Sequence, residues 1–139
     1  MAGEKSAFSD KEREAMKERA REQREFKKLS GEEQIARKIA EMNPVEQKMA
    51  QALHKLVTNA APELKPQTWY GMPAYYLDGK VVCFLQVGSK FDSRYSTFGF
   101  QEAAKIDDGD FFPTSFALIS LTPAVSKQIE SLVKKAVGR

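Results

Sequence analysis

Ala74-Tyr75-Tyr76-Leu77-Asp78-Gly79-Lys80-Val81-Val82-Cys83-Phe84-Leu85-Gln86-Val87 is the stretch whose reading decides the fold. Two β-prone runs flank Asp78-Gly79. A two-residue type I′ turn needs positive φ at both central positions, which Asp-Gly accepts, so the stretch predicts a β-hairpin. Just upstream, Thr68-Trp69-Tyr70 is also β-prone and leads into Gly71-Met72-Pro73. Gly71 permits a sharp or positive-φ bend. Pro73 fixes its own φ and biases Met72 towards extended backbone. Downstream, Gly88-Ser89 marks the next turn. Phe91, Arg94 to Phe98 and Phe100 follow as a third strand, Gln101 to Ile106 as one helical turn, and Asp107 to Asp110 as a loop. Ser115 to Leu121 is a fourth strand.

Away from this β region the hydrophobic period becomes helical. Ser30-Gly31-Glu32-Glu33 has the Ser-x-x-Glu form of a capping box and opens a helix with Ile35, Ala36, Ile39 and Met42 on one face. Asn43 and Pro44 suit the N-cap and first position of a second helix, with Glu46 as box partner. Val45, Met49, Ala52, Leu53, Leu56, Val57 and Ala60 form its core stripe before Pro62 ends it. Thr122-Pro123 caps a last helix with Val125, Ile129, Leu132, Val133 and Ala136 inward, and Lys134, Lys135 and Arg139 near its C-terminus, where positive charge is favoured. The fold class is therefore α+β: an antiparallel sheet of about four to five strands with helices packed on one face. Residues 31–139 form one domain, and residues 1–30 a charged helical or partly disordered extension.

In that extension, residues 9–28 read as a helix without an apolar stripe. Asp10, Glu14, Glu18 and Glu22 share one face, and Arg13, Lys17, Arg21, Arg24 and Lys28 form a neighbouring row. Pairs such as Glu14 with Lys17 and Glu18 with Arg21 each add roughly 0.2–0.5 kcal/mol, and the repeated carboxylates oppose the helix by similar amounts. A solvated face is the preferred reading over a stripe that gathers cations or meets an acidic partner.

Composition narrows the function. The chain has 139 residues and a formal net charge of +3. Residues 1–33 contribute nine Lys/Arg and nine Asp/Glu, so no basic cluster marks the remainder, which argues against a nucleic-acid partner. No apolar run reaches the length of a membrane span, and Met1 to Asp10 lack the apolar core of a secretory signal. A single cysteine, Cys83, fits a reducing compartment, and a cytoplasmic location is expected. Gly-x-Gly-x-x-Gly, Walker-type and Gly-x-Ser-x-Gly motifs are missing. One His and one Cys cannot build the usual zinc sites.

What remains is a short list of candidates. His54 sits at the edge of its helix stripe, and Cys83 lies mid-strand between Val82 and Phe84 with no adjacent base. An enzymatic reading would draw on His54, Tyr75, Lys90 or Arg94, no two of which have diagnostic spacing, so no catalytic residue is assigned. The β region is rich in aromatics, some of which must point away from the helices; Tyr76, for instance, points opposite to Tyr75. The loop around Phe111-Phe112-Pro113 is expected to cover them in part. Trp69, Tyr70, Met72, Tyr76, Lys90 and Phe112 are the candidate ligand-binding residues, for a small ligand or protein partner of unknown identity. Asp107, Asp108 and Asp110 are candidate oxygen ligands for a weakly held cation, against the plainer reading of an Asp/Gly turn. No tightly held cofactor is expected.

Trp69-Tyr70-Gly71-Met72-Pro73-Ala74-Tyr75, the hairpin at Asp78-Gly79-Lys80, the apolar strand after it and Lys90-Phe91 together resemble the YdhG-like family of domains of unknown function. The likeness spans about residues 33–138. It implies a compact α+β layer with an antiparallel sheet. Because some members are described as frataxin-like intracellular iron chaperones, it also implies iron carriage on surface carboxylates as an alternative function. The chain departs from the commoner family pattern at Ser93 to Phe100, where many members have a histidine-containing strand, so no site residue is carried over.

Overall fold

A computed structural model of the protein describes residues 9–139, and the chain divides between Ser30 and Gly31 into two units. The first unit contains helix α1, Asp10–Lys27. Its start is a capping box: the Ser9 hydroxyl accepts from the Glu12 N–H (3.1 Å) and the Glu12 carboxylate accepts from the Ser9 N–H (2.8 Å). Hydrogen bonding from Ser9, chiefly from its backbone N–H and then from its side chain, holds the Glu12 carboxyl below its ordinary range. No residue of α1 is buried, and its charges pair along the surface, Arg13 with Asp10 and Arg21 with Glu18.

The second unit runs α2 (Gly31–Ala40), α3 (Pro44–Ala60), β1 (Lys65–Trp69), β2 (Met72–Leu77), β3 (Lys80–Gln86), a 3-10 helix (Gly88–Phe91), β4 (Ser96–Phe100), β5 (Ser115–Leu118) and α4 (Pro123–Ala136). The strands form one antiparallel sheet in the order β1-β2-β3-β4-β5, a five-stranded meander. Its first hairpin differs from the expected corner. The turn is Tyr70-Gly71, with φ of 50° and 75°, so Met72 and Pro73 already belong to β2. Asp78-Gly79 makes the second hairpin in the same way, with φ of 51° and 78°. Phe91, Arg94 and Tyr95 precede β4 rather than open it, because the 3-10 helix takes up that chain.

Between β2 and β3 the register shifts. Tyr75 faces Cys83 while Tyr76 faces Val81, which leaves Val82 as an extra residue. Val82 and Cys83 are both fully buried. They join Tyr75, Leu85, Phe98 and Phe100 in a core completed by Ile35, Ile39, Leu53, Val57, Ile129 and Val133 from α2, α3 and α4. The helical residues thus converge on one sheet face. The row Gln67, Ala74, Phe84, Gly99 and Ser115 lies outside that cluster, on the opposite face. The α3 stripe is narrower than expected: Ala50, Leu53, Val57 and Ala60 are buried, whereas Ala52 is exposed and Val45, beside the helix start, is 78% exposed. Ala36 is exposed too, and its neighbour Gln34 is buried instead, accepting from the Thr68 hydroxyl at 3.0 Å.

Candidate functional site

At one end of the sheet, the β1–β2 turn, the end of β3, the 3-10 helix and the α2–α3 corner enclose a cavity of about 250 Å³. The local sequence builds each wall. Asn43 caps α3, its side-chain oxygen accepting from the Glu46 N–H at 2.8 Å. Glu46 does not reach back as a box partner. Its carboxylate crosses to the 3-10 helix and accepts from the Ser89 N–H (3.0 Å) and the Ser89 hydroxyl (2.6 Å). Two bonds on one carboxylate join α3 to the 3-10 helix and fix the cavity's width. Met42, Met72, Pro73, Leu85 and Val87 supply apolar lining.

The rim is aromatic and charged. Tyr70 is 85% exposed and Phe91 63% exposed. Tyr70 occupies the left-handed region, which costs an L-residue on the order of 1 kcal/mol and which hairpins usually give to Asn, Asp or Gly. Lys90 extends its ammonium over the Gly71 turn, where a Cβ would come within 3.7 Å of Nζ. Lys38 pairs with Glu41 at 3.7 Å. Among the described residues, Lys90 makes no ion pair.

The structure therefore brings Tyr70, Met72 and Lys90 together and adds Phe91 and Glu46, which the sequence did not single out for this site. Trp69 and Tyr76 line a different, shallower groove of about 720 Å³ with Leu77, Gln101, Ala103 and Lys105. The Trp69 ring lies between the two places, edge-on to Tyr70 with centroids 5.1 Å apart and 5.3 Å from Phe84. Phe112 belongs to neither, since it packs against the core, and Phe111 beside it is 98% exposed. Asp107, Asp108 and Asp110 are exposed. Among the described residues, no three His, Cys, Asp or Glu side chains converge where they could hold a metal ion.

His54 and Tyr75 do meet. The His54 ring bridges the Tyr75 hydroxyl (Nδ1, 2.9 Å) and the Glu32 carboxylate (Nε2, 2.8 Å). With neutral His54, Nε2–H donates to Glu32 and Nδ1 accepts from the Tyr75 hydroxyl. Burial raises the Tyr75 hydroxyl far above its ordinary range, with nearby Cys83 and Glu32 adding to the shift, so it stays protonated. Tyr75 is 1% exposed, so its oxygen cannot meet a substrate from solvent. The chain Glu32–His54–Tyr75 instead ties α2 and α3 to the sheet. Arg94 is separate from it, stacked over Tyr95 at 5.2 Å.

The chain matches no family model, no curated protein and no solved structure.

Proposed function

We propose that the chain is a non-enzymatic binding module, of the YdhG-like kind, that takes a small ligand in the cavity at the Tyr70-Gly71 turn. Tyr70 carries this reading. Its backbone is held in a costly conformation, and its ring, although edge-on to Trp69, is left largely in water. An exposed aromatic held on an apolar cavity that a second exposed aromatic, Phe91, also lines is what a ligand-contacting position requires. At about 250 Å³ the cavity lies just below the range of roughly 300–1,000 Å³ usual for drug-sized ligands, so a smaller molecule fits it. Cytoplasmic residence belongs to the same proposal, supported by the single buried Cys83.

A fragment screen followed by amide- and methyl-resolved NMR tests the reading. Saturable shifts confined to Tyr70, Gly71, Met72, Lys90 and Phe91 are expected. Binders that shift only Trp69, Tyr76 and the Gln101–Lys105 segment would move the site to the other sheet face. A screen without any binder at Tyr70 to Met72 would remove the proposal.

A further inference from the structure

Charge at the cavity has a direction. Four charged side chains line it: Lys38, Glu41, Glu46 and Lys90. Glu41 is matched by Lys38. Glu46 stays anionic, with both carboxylate oxygens held by the Ser89 N–H and hydroxyl. Among the described residues Lys90 makes no ion pair, and its ammonium is set over the side-chain-free Gly71 at the mouth. The apolar lining from Met42, Met72, Pro73, Leu85 and Val87 offers nothing to a second charge. An apolar floor with one cation at the rim fits a molecule of the opposite pattern.

Resting on the small-ligand reading above, we infer that the ligand is a compact organic anion, an apolar body bearing one carboxylate or similar acidic group, with the body between Tyr70 and Phe91 and the acid on Lys90. The Lys90 ammonium donates to the acid oxygens. The ligand's body covers the exposed faces of Tyr70 and Phe91, which gives those rings their apolar partner. A cationic ligand would meet the Lys90 ammonium as a like charge at the mouth and would be disfavoured there.

Benzoate, benzamide and benzylammonium share one ring and differ in charge, so they separate the two levels of the inference. Each is titrated into the full-length protein at low ionic strength, with the Tyr70, Gly71 and Phe91 resonances as readout. Benzoate is expected to bind about fivefold more tightly than benzamide, as an exposed charge pair allows. The preference should fade with added salt. It should vanish in Lys90→Gln and persist in Lys90→Arg, with the rest of the spectrum showing that both variants remain folded. Equal binding of benzoate and benzamide, tighter benzylammonium, or a benzoate preference that survives in Lys90→Gln would overturn the anion assignment while leaving the cavity as a ligand site. Failure of all three to shift the corner resonances, while the Trp69 and Tyr76 groove or no region responds, would overturn both readings.

Discussion

Tyr70 sets stability against binding at a single position. Asn accepts the left-handed backbone more readily than Tyr, but Tyr70→Asn also gives up the edge contact with Trp69. The two terms are of similar size, so the unfolding free energy from urea titration should stay constant or rise by up to ~1 kcal/mol, while ligand binding weakens. A marked loss of stability would instead mean that the ring serves packing. Tyr75 and Cys83, opposite each other across β2 and β3, carry a pH dependence. Burial raises both acids above their ordinary values of 10.0 and 9.0. Their stabilising contribution is fully present below those values. It is lost as pH rises, because the unfolded chain releases protons that the folded chain keeps. Above pH 9 the stability should fall with a slope of about 1.4 kcal/mol per pH unit for each group fully engaged. In Cys83→Ala the fall should begin nearer pH 10, and thermal melts across this range would show an unchanged onset if Cys83 is not the source. Tyr75→Phe should cost about 1 kcal/mol, since it leaves His54 Nδ1 without the hydroxyl.

Within the elements, agreement between pattern and structure follows the range of the forces. Asp78-Gly79 was legible as a hairpin because the turn's φ requirement is local. Tyr70-Gly71 was not, because Tyr is a poor residue for the first turn position and only strand pairing from Lys65 to Tyr76 holds it there. In α4 the inward residues follow one helical period, with Ile129, Val133 and Ala136 buried and Val125 and Leu132 packed beside them. The α3 stripe was overextended to Val45, since periodicity cannot show that nothing packs on the first turn. Gly99 illustrates a constraint invisible in sequence. The Phe84 ring lies across it, and an added Cβ would stand 2.5 Å from the ring. Gly99→Ala should therefore destabilise by about 1–3 kcal/mol in urea unfolding, as overpacking does. The double variant Gly99→Ala with Phe84→Leu should recover part of that loss if the ring is the obstacle.

For the whole molecule, the core begins at Ile35 and α1 buries none of its residues. A chain starting at Gly31 should unfold in a single transition with the midpoint of the full chain, measured by calorimetry; a drop of several degrees would give the first thirty residues a share in stability. Sequence alone determined the α+β class, the antiparallel hairpin and the positions of the helices in the sheet-bearing unit. All of these rest on local propensity and hydrophobic period. It also indicated Tyr70 and Met72, because unusual residues are concentrated around Gly71-Met72-Pro73, and Lys90, at the opening of the chain after β3. Only the tertiary structure divided the six suspected ligand residues between two sheet faces and the core, diverted Glu46 from its own helix to Ser89, and joined Glu32, His54 and Tyr75 into one chain. Each of those outcomes depends on where a β-bulge, a 3-10 turn and a helix crossing bring residues twenty to forty positions apart. Spacing along the chain carries no record of such distances, because they are set by the packing of the sheet against its helices.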